Sequence, residues 1–499
     1  MCIVLKMLLS KSDYMLYLRH PAWLWLKKHA KHFLPPVDPS LQARFDEGHA
    51  FEPYVESLFP EMVHLGFTHF AEYQRLPERT AEAWKNGASA VAQGRYEDGA
   101  ITCISDIVRK DGDGYVLTEI KSSTKAKPEH VFDLAFQRAA LEAAGLPIRR
   151  SELAHVDKTY LRSGEIDSQE LVAFTDLTDE VADRMESTRL RIDEALSVAA
   201  SNTMPDPAPE RARLGSYDEW LEIREKIKPP LEENSIHRLP FMNAQKATAL
   251  IGDGITTIDA IADPSRLSKS TRRYLSAVAN GGRSVDRDAL ANFLSKIEYP
   301  VHYFDYETTQ SLVPPWDGTR PYQQVPFQYS LHVQPKTGAE VEHLEYLHRD
   351  ATNPMPPLLE RLREDMGDKG SVVVWYAGFE KSRNDEMAAA FPEHSEFLAV
   401  LNERVVDLME PFADETINDP AFKGSASIKA VLPALVPELS YGDLDIQEGS
   451  SAARLWKDVT LTNPASPERD KVYTDLVAYC RLDTWAMVAI HRKLQEFVE

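Results

Sequence analysis

Extended apolar runs alternate with helical stretches through the last part of the chain. The runs are YPVHYFDYE, VPFQYSLHV and SVVVWY, and a long helical run follows from about residue 472 to residue 497. Because helices that return the chain between strands cover the faces of a sheet, this alternation predicts an α/β domain. At 499 residues the chain is also too long for one ordinary core, so we expect a multidomain α/β protein.

Breaks in the pattern predict four segments. Residues 1–200 form a first domain, in which two β-rich runs joined by DGDG are followed by the helical run FDLAFQRAALEAAG. Residues 201–240 contain the breakers PDPAPE and KIKPP around a short charged helix, and this composition predicts a linker. Residues 241–296 form a helical region, and residues 297–499 form the α/β domain.

The charge of the chain limits the partners that it can bind. With 56 basic and 78 acidic residues the net charge is −22, which would repel a polyanion if it were spread evenly. A nucleic-acid partner therefore requires a local cluster of basic residues. The helical region 241–296 offers these candidates: Lys246, Lys269, Arg272, Arg273 and Arg283.

The segment that carries these residues has two helical runs around Gly252 and Gly254. It resembles a helix-hairpin-helix, whose glycine turn presents backbone amides to a phosphate. The resemblance implies contact with nucleic acid. The alternative is a simple helical connector, in which such a turn is also common.

The cysteines and the hydropathy indicate the compartment. Cys2, Cys103 and Cys480 lie far apart in sequence and make neither a disulfide framework nor a thiolate metal motif. Charged residues interrupt the apolar N-terminus, and no segment reaches the roughly 18 uninterrupted apolar residues of a membrane span. We therefore expect a cytoplasmic protein without a membrane partner; the sequence does not indicate protein partners.

Three residues suited to catalysis lie on the predicted hairpin of the first domain. Asp106 lies on the first strand, and Glu119 and Lys121 lie two apart on the second strand, on one face. Two carboxylates can hold Mg²⁺ or Mn²⁺, and an ammonium group can position water or offset negative charge during phosphodiester hydrolysis. The alternative is a surface hairpin with alternating charges, which the triplet EIK alone would favour.

The segment GAITCISDIVRKDGDGYVLTEIKSSTK, followed by Gln137 on a helix, resembles the PD-(D/E)xK nucleases of the RecB type in its order of parts. The resemblance covers roughly the first 190 residues and implies a restriction-endonuclease-like fold. It also implies an active site formed by His49, Asp106, Glu119 and Lys121, with Gln137 in support.

Three positions qualify this resemblance. Glu52 and Glu56 lie a turn or two from His49 and could serve as ligands in its place. Leu141 stands where the family usually has a Tyr after the Gln. Many relatives bind an iron-sulfur cluster through cysteines, but this chain has His20 at the first of these positions, so we expect no cluster.

The first strand of the C-terminal domain carries a second pair of carboxylates. Asp305 and Glu307 in YFDYETT are two apart on an extended segment and face one side of the sheet. Tyr479 and Asp483 are four apart in the last helical run and lie on one helix face. Carboxylates on the two elements could hold divalent cations, and the Tyr hydroxyl could orient or deprotonate a water. The alternative is a solvated strand edge and an ordinary helix surface.

These two motifs resemble the first and last motifs of the DEDD exonucleases of the RNase H-like fold, in the subtype that ends in Tyr-x-x-x-Asp. Between them the family has a strand followed by an Asn and then an aromatic-Asp pair. This chain has VVVWYAGFEKSRNDEM, with Phe379-Glu380 in that place. The resemblance implies that Glu380 completes the metal site, with Asp407 as a substitute ligand.

With both resemblances taken together, the chain is similar to bacterial proteins that fuse a RecB-like domain to an RNase H-like domain. The resemblances imply a metal-dependent nuclease with two candidate active sites, which uses Mg²⁺ or Mn²⁺, with DNA favoured over RNA as the substrate. The alternative is a nucleic-acid-binding or scaffold protein, for example in a defence system, in which one site is idle. The altered middle motif at Glu380 makes the C-terminal site the expected idle one.

Overall fold

The computed structural model describes residues 8–36 and 39–499, without the side chains of 39–41, 43–46 and 443. Cys2 lies outside the described residues. Among the described residues, no helix combines the length and the apolar character that crossing a membrane requires.

The chain divides into two compact units, each with its own sheet. The first unit comprises the chain up to Arg238 together with Met242–Ala260, and the second comprises Leu239–Phe241 and Ile261–Glu499. The predicted helical region 241–296 is therefore divided at Ala260. The predicted linker 201–240 contains a helix, and most of it belongs to the first unit.

The first unit is built on a seven-stranded mixed sheet. Its strands are β1 (Leu9–Ser10), β2 (Val63–His64), β3 (Ala90–Asp98), β4 (Ile101–Asp111), β5 (Gly114–Ile120), β6 (Ile148–Val156) and β7 (Val172–Asp176). Its helices are α1 (Lys11–Arg19), α2 (Pro21–His29), α3 (Pro39–Glu56), α4 (Phe70–Lys85), α5 (Pro128–Ala143), α6 (Ser168–Leu171), α7 (Thr178–Ala200), α8 (Tyr217–Ile227) and α9 (Ala244–Gly252). The strand order is β2-β3-β4-β5-β6-β7, and β1 pairs with β4.

The β4-β5 hairpin has the tight turn that DGDG predicts. Asp111 pairs with Gly114, and Gly112 has a φ of +60°, a conformation that glycine adopts without steric cost. Helix α5 follows the hairpin and buries Leu134, Phe136 and neighbouring apolar residues in the core of this unit.

The second unit contains a five-stranded mixed sheet and a separate two-stranded one. Its strands are β8 (Ser284–Val285), β9 (Val301–Thr309), β10 (Val325–Gln334), β11 (Glu342–Leu347), β12 (Val372–Val374), β13 (Val405–Asp407) and β14 (Ile417–Asn418). Its helices are α10 (Lys269–Ala279), α11 (Arg287–Leu294), α12 (Met355–Asp365), α13 (Ala377–Ala390), α14 (Ser395–Glu403), α15 (Glu410–Ala413), α16 (Ile428–Leu435), α17 (Gly449–Lys457) and α18 (Arg469–Val498).

Strand β9 lies at the centre of the order β11-β10-β9-β12-β13, antiparallel to β10 and parallel to β12. Its residues are almost all buried, because each face of the sheet is covered. Phe304 belongs to the core cluster on one side, and Tyr303 belongs to the cluster that α18 helps to form on the other. The multidomain α/β class predicted from the sequence is confirmed.

Candidate metal centres

The β4-β5 hairpin brings Asp106 and Glu119 together. Ile107 pairs with Thr118 in this antiparallel hairpin, so Asp106, which precedes Ile107, is a neighbour of Glu119, which follows Thr118. Asp106 Oδ2 accepts a hydrogen bond of 2.7 Å from the backbone N–H of Ile120, which fixes the carboxylate beside β5. Glu119 is only 1% exposed.

Glu119 is held by a group of cationic and amide side chains. Its Oε1 accepts hydrogen bonds from Lys121 Nζ at 2.5 Å and from Lys11 Nζ at 2.8 Å. Its Oε2 accepts a hydrogen bond of 2.6 Å from Gln137 Nε2. Asp133 closes the group, since its carboxylate lies 2.9 Å from Lys121 Nζ and 3.4 Å from Lys11 Nζ.

The pKa values of Asp106 and Glu119 are shifted in opposite directions in this cluster. Burial, reinforced by the charge of Glu119, raises the pKa of Asp106 to about 7. Burial acts in the same direction on Glu119, but Lys11 and Lys121 outweigh it and lower the pKa of that carboxyl group. Glu119 is therefore ionised and already paired, whereas Asp106 can change protonation near neutral pH.

Helix α3 carries His49, which the resemblance implies as a ligand. His49 is exposed, and the structure gives it no hydrogen bond to the Asp106–Glu119 pair. Glu52, one turn further along α3, is half-buried, and burial raises its pKa. The charges of His49, Glu119 and Lys121 also influence the pKa of Glu52, so this alternative ligand lies in the same part of the first unit as the cluster.

In the second unit, α18 lies against the face of the sheet that carries Asp305 and Glu307. Their partners on β10 are Ser330 and Gln328. Gln328 Nε2 donates a hydrogen bond of 3.0 Å to the carbonyl of Leu476, and Ser330 Oγ lies 2.7 Å from Thr484 Oγ1. These bonds fix the register of α18 against the two strands.

This register places Tyr479 and Asp483 beside the strand carboxylates. Asp305, Glu307, Tyr479 and Asp483 line one open cleft of about 210 Å³. The start of α17 also lies beside the cleft, since a Cβ at Gly449 would be in ordinary van der Waals contact, 3.6 Å from Glu307 Oε2. The two motifs separated by about 170 residues in sequence thus meet in one site.

Glu380 reaches the same cluster from α13. It is 1% exposed, and its carboxyl group and that of Asp305 are close enough to affect each other's pKa. Its Oε2 atom is buried without a hydrogen-bond partner. Burial, reinforced by the charge of Asp407, raises the pKa of Glu380 to about 8.

Asp407 has a structural contact that explains where α13 begins. Its carboxylate accepts hydrogen bonds from the backbone N–H groups of Tyr376 at 3.0 Å and Ala377 at 2.9 Å. Tyr376 has a φ of +77°, which costs free energy for an aromatic residue. Asp407 therefore holds the turn from β12 into α13 and so positions Glu380.

The four carboxylates of the second unit, Asp305, Glu307, Glu380 and Asp483, all have raised pKa values. Burial is the main cause for Asp305 and Glu307, and the charge of Asp483 adds to it in both cases. Burial raises the pKa of Asp483 to about 7, although the hydroxyl of Tyr441 donates a hydrogen bond of 2.5 Å to it. Buried carboxylates that repel each other in this way fit a divalent cation, which prefers oxygen ligands and would give Glu380 Oε2 a partner.

Sequence reasoning missed several residues of the two clusters. Asp133 precedes Gln137 by one helical turn, and this spacing could have revealed it. Lys11 and Tyr441 reach their clusters through tertiary packing, without a local signal. Cys480 is next to Tyr479, and its sulfur lies within 4.8 Å of ligand oxygens of Asp305 and Glu307.

Lys429 is another cation that the sequence analysis missed. It is exposed at the start of α16 and lines the carboxylate cleft. Its Nζ atom lies 5.6 Å and 5.8 Å from the ring centroids of Tyr441 and Tyr479. This ammonium group is the nearest described lysine at the cleft, and it lowers the pKa values of Glu307 and Asp483.

The basic residues predicted to bind nucleic acid differ in their contacts. Arg273 is 8% exposed and donates hydrogen bonds to the carbonyls of Phe412, Ala413 and Gly424, so its guanidinium group holds the fold. The other contacts are those of Lys269 with the Ala413 carbonyl, of Arg272 with the Ser265 and Leu267 carbonyls, and of Arg283 with Asp419. Lys246 lies on α9, in the first unit.

His20, which the RecB-type resemblance aligns with a cysteine position, has a structural contact of its own. Its ring stacks on Trp220 with centroids 3.9 Å apart, and its Nδ1 accepts a hydrogen bond from the N–H of Ala22. Burial lowers the pKa of His20 to about 4, so the ring is neutral. His20 caps α2 through this bond.

A comparison with known protein families gives a match within the second unit. Residues 302–427 match DUF2779, a domain of unknown function. The DUF2779 match includes Asp305, Glu307 and Glu380, and it ends before Tyr479 and Asp483.

Three curated relatives are uncharacterized proteins. The MG366 homolog of Mycoplasma pneumoniae is 30% identical over 222 residues, which is 41% of this chain and 33% of the relative. MG366 of Mycoplasma genitalium is 28% identical over 226 residues, 42% of this chain and 34% of the relative. UU173 of Ureaplasma parvum is 24% identical over 238 residues, 42% of this chain and 33% of the relative. The matched part spans about a third of the length of each relative.

Proposed function

We propose that the chain is a metal-dependent nuclease that hydrolyses phosphodiester bonds of nucleic acid, with DNA favoured over RNA. The observation that carries this proposal is the convergence of acidic side chains from three elements. Asp305 and Glu307 of β9 and Asp483 of α18 line one open cleft, and the buried Glu380 of α13 lies close to Asp305. Their raised pKa values mean that the cluster is costly to keep ionised by itself. A divalent cation would remove that cost, and nucleic-acid hydrolysis is the chemistry that such clusters support.

The folds of both units support the same proposal. A central strand with paired carboxylates, antiparallel to one neighbour and parallel to the other, agrees with the RNase H-like expectation for the second unit. A β-hairpin that carries Asp106, Glu119 and Lys121, followed by a helix that carries Gln137, agrees with the restriction-endonuclease-like expectation for the first.

In the second unit, Asp305, Glu307, Glu380 and Asp483 would hold Mg²⁺ or Mn²⁺. The cation would polarise the phosphate and offset the negative charge that develops on it. Tyr479, whose hydroxyl lies at the cleft, would orient the attacking water and share its proton. Lys429 would attract the phosphate of the substrate into the cleft.

The balance of charge favours the C-terminal site as the working one, in contrast to the expectation from the altered middle motif. In the first unit, two ammonium groups already neutralise Glu119 and Asp133. In the second unit, Asp305, Glu307 and Asp483 line a cleft in which Lys429 is the one lysine among the described lining residues, and the charge of Arg383 acts on Glu380. The second cluster therefore gains more from a bound cation.

The test compares four forms of the full chain: wild type, Asp106→Ala, Asp483→Asn and the double variant. Labelled single- and double-stranded DNA and RNA are incubated with Mg²⁺, Mn²⁺ or EDTA, and the products are separated by length. We expect metal-dependent cleavage that Asp106→Ala retains and that Asp483→Asn largely removes. Glu393→Gln, which changes an exposed acid of the same unit, is the control. A wild-type chain that cleaves none of these substrates with either cation would refute the proposal.

A further inference from the structure

A second cleft in the second unit adjoins the carboxylate cleft. It has a volume of about 510 Å³, within the range of pockets that hold a ligand of nucleotide size. Lys429 lines both clefts, so the ammonium group stands where one opens beside the other. The other lining residues include Phe241, Lys423, Ser425 and Ser427.

Phe241 presents an aromatic ring at this cleft. The residue is 52% exposed, which is unusual for a Phe, and its φ of +57° is a costly conformation for a bulky side chain. The preceding residue, Pro240, is anchored because its carbonyl accepts a hydrogen bond of 2.9 Å from Thr271 Oγ1. The backbone therefore holds the ring at the surface, where its partial burial offsets little of the free energy that the positive φ costs.

Two lysines provide positive charge at the same cleft. Lys423 and Lys429 are both exposed, in a chain whose net charge is −22. Lys429 Nζ donates a hydrogen bond of 2.7 Å to the carbonyl of Gln447, which directs the ammonium group. An exposed aromatic ring and two lysines that line the same cleft match a ligand that alternates flat rings with negative charges.

We infer that this cleft binds an unpaired strand of nucleic acid, with a base stacked on Phe241 and phosphates beside Lys423 and Lys429. The inference rests on the proposed function, because it assigns this strand as the substrate that continues into the carboxylate cleft. A duplex does not fit this arrangement, since its bases already stack on each other and their faces are covered. Stacking on a Phe ring also accepts any base, so the cleft selects strandedness rather than sequence.

The test measures binding without cleavage. Fluorescence anisotropy measures the affinity of the protein for a labelled oligothymidylate and for the matching duplex, with Ca²⁺ in place of Mg²⁺. Phe241→Ala should weaken single-strand binding by about 5- to 150-fold, the range expected for the loss of one stacked base. Phe241→Trp should retain the affinity. Phe70→Ala, which removes a more exposed Phe of the first unit, is the matched control and should have no effect.

Two further measurements identify the ligand and guard against misfolding. Lys423→Ala and Lys429→Ala should each reduce the slope of log affinity against log salt by about 0.7, whereas Lys336→Ala, at an exposed turn, should not. An abasic position at the stacking site should abolish the difference between wild type and Phe241→Ala. Phe241→Asn tolerates the positive φ and should reproduce the loss if Phe241→Ala misfolds.

The outcomes separate this inference from the proposed function. If Phe241→Ala binds the single strand as tightly as wild type does, or if polyglutamate competes as well as the oligonucleotide, the inference is overturned even where cleavage is seen. If binding depends on Phe241 but no cation supports cleavage, the inference stands and the proposed function fails.

Discussion

The hydroxyl of Tyr441 donates a hydrogen bond to the carboxylate of Asp483, and the two oxygens are 2.5 Å apart. This bond lowers the pKa of Asp483 against the stronger effect of burial, so it helps to keep the carboxylate ionised. Tyr441→Phe should therefore weaken Mn²⁺ binding by about tenfold, the cost of one hydrogen bond to a charged group. Isothermal titration calorimetry on the Asp106→Ala background checks this.

Tyr479→Phe is the matched comparison for Tyr441→Phe. Both substitutions delete one hydroxyl at the same cleft, but the hydroxyl of Tyr479 is the one proposed to orient the attacking water. Tyr479→Phe should retain Mn²⁺ affinity and slow cleavage. Equal losses of affinity from the two variants would contradict this division of roles.

Asp305 and Asp483 should behave as one unit. Each single change to Ala should abolish the same activity, and the double change should cost little more than the more severe single one, because residues that share a site are non-additive. The rate of mononucleotide release from a single-stranded end, measured on the Asp106→Ala background, gives the loss of activity for each single variant and for the double variant. Independent losses that add would show that the two carboxylates act separately.

Residues that share a face were predictable from the sequence, but the contacts between distant elements were not. The period of two along a strand gave Asp305 with Glu307, and the helical spacing gave Tyr479 with Asp483. The position of Glu380 could not be predicted in the same way, because it depends on a left-handed turn that Asp407 holds from another strand.

The Lys11 contact shows why the first cluster was predicted only in part. It joins residues 108 positions apart, and nothing in the local pattern around α1 indicates it. The fold class followed from the alternation of strands and helices. The division at Ala260 did not, because a boundary between units depends on which segments contact each other.

The stability of the metal-free second unit should fall as the pH rises from about 6.5 to about 8. The folded pKa values of Asp483 and Glu380, about 7 and about 8, lie above the ordinary values of 3.8 and 4.5. The folded state therefore binds more protons than the unfolded state in this range, and it loses that advantage as the pH rises through the folded pKa values. Each carboxyl group contributes roughly 1 kcal/mol per pH unit at most.

Thermal unfolding in EDTA and in Mg²⁺ checks this prediction. We expect a lower Tm at the higher pH in EDTA, a larger gain from Mg²⁺ at that pH, and a shallower dependence in Asp483→Asn. The predicted range begins at about pH 6.5 because two buried histidines act in the opposite direction below it. Burial lowers the pKa values of His302 and His491 from 6.5 to about 4, so between these values the unfolded state binds more protons and stability rises with pH. A Tm that responds to neither pH nor Mg²⁺ would count against the cation site.

Lys11 and Lys121 contact the same two carboxylates, Glu119 and Asp133, but only Lys121 belongs to the motif of the resemblance. With the C-terminal site disabled by Asp483→Asn, Lys121→Ala should reduce cleavage by about two orders of magnitude, because it removes a preorganised charge. Lys11→Met should instead tighten Mn²⁺ binding, since it frees an oxygen of Glu119, and should lower the stability in EDTA by about 1 to 3 kcal/mol.

Lys85→Met changes an exposed lysine of the same unit and is the control for both lysine variants. Binding is measured by calorimetry and stability by urea unfolding. Equal effects of Lys11→Met and Lys121→Ala on cleavage would show that the two lysines share one role.

The distance in sequence between β9 and α18 has a consequence during synthesis of the protein. The end of β9 at Thr309 and the start of α18 at Arg469 are separated by about 160 residues, which a ribosome adds in about 8 to 30 s. Through that interval the nascent chain carries the strand carboxylates without the helix that completes their cleft. The C-terminal site therefore assembles only after α18 has been synthesised, so under the proposed function a chain that stops before Arg469 has no complete site there.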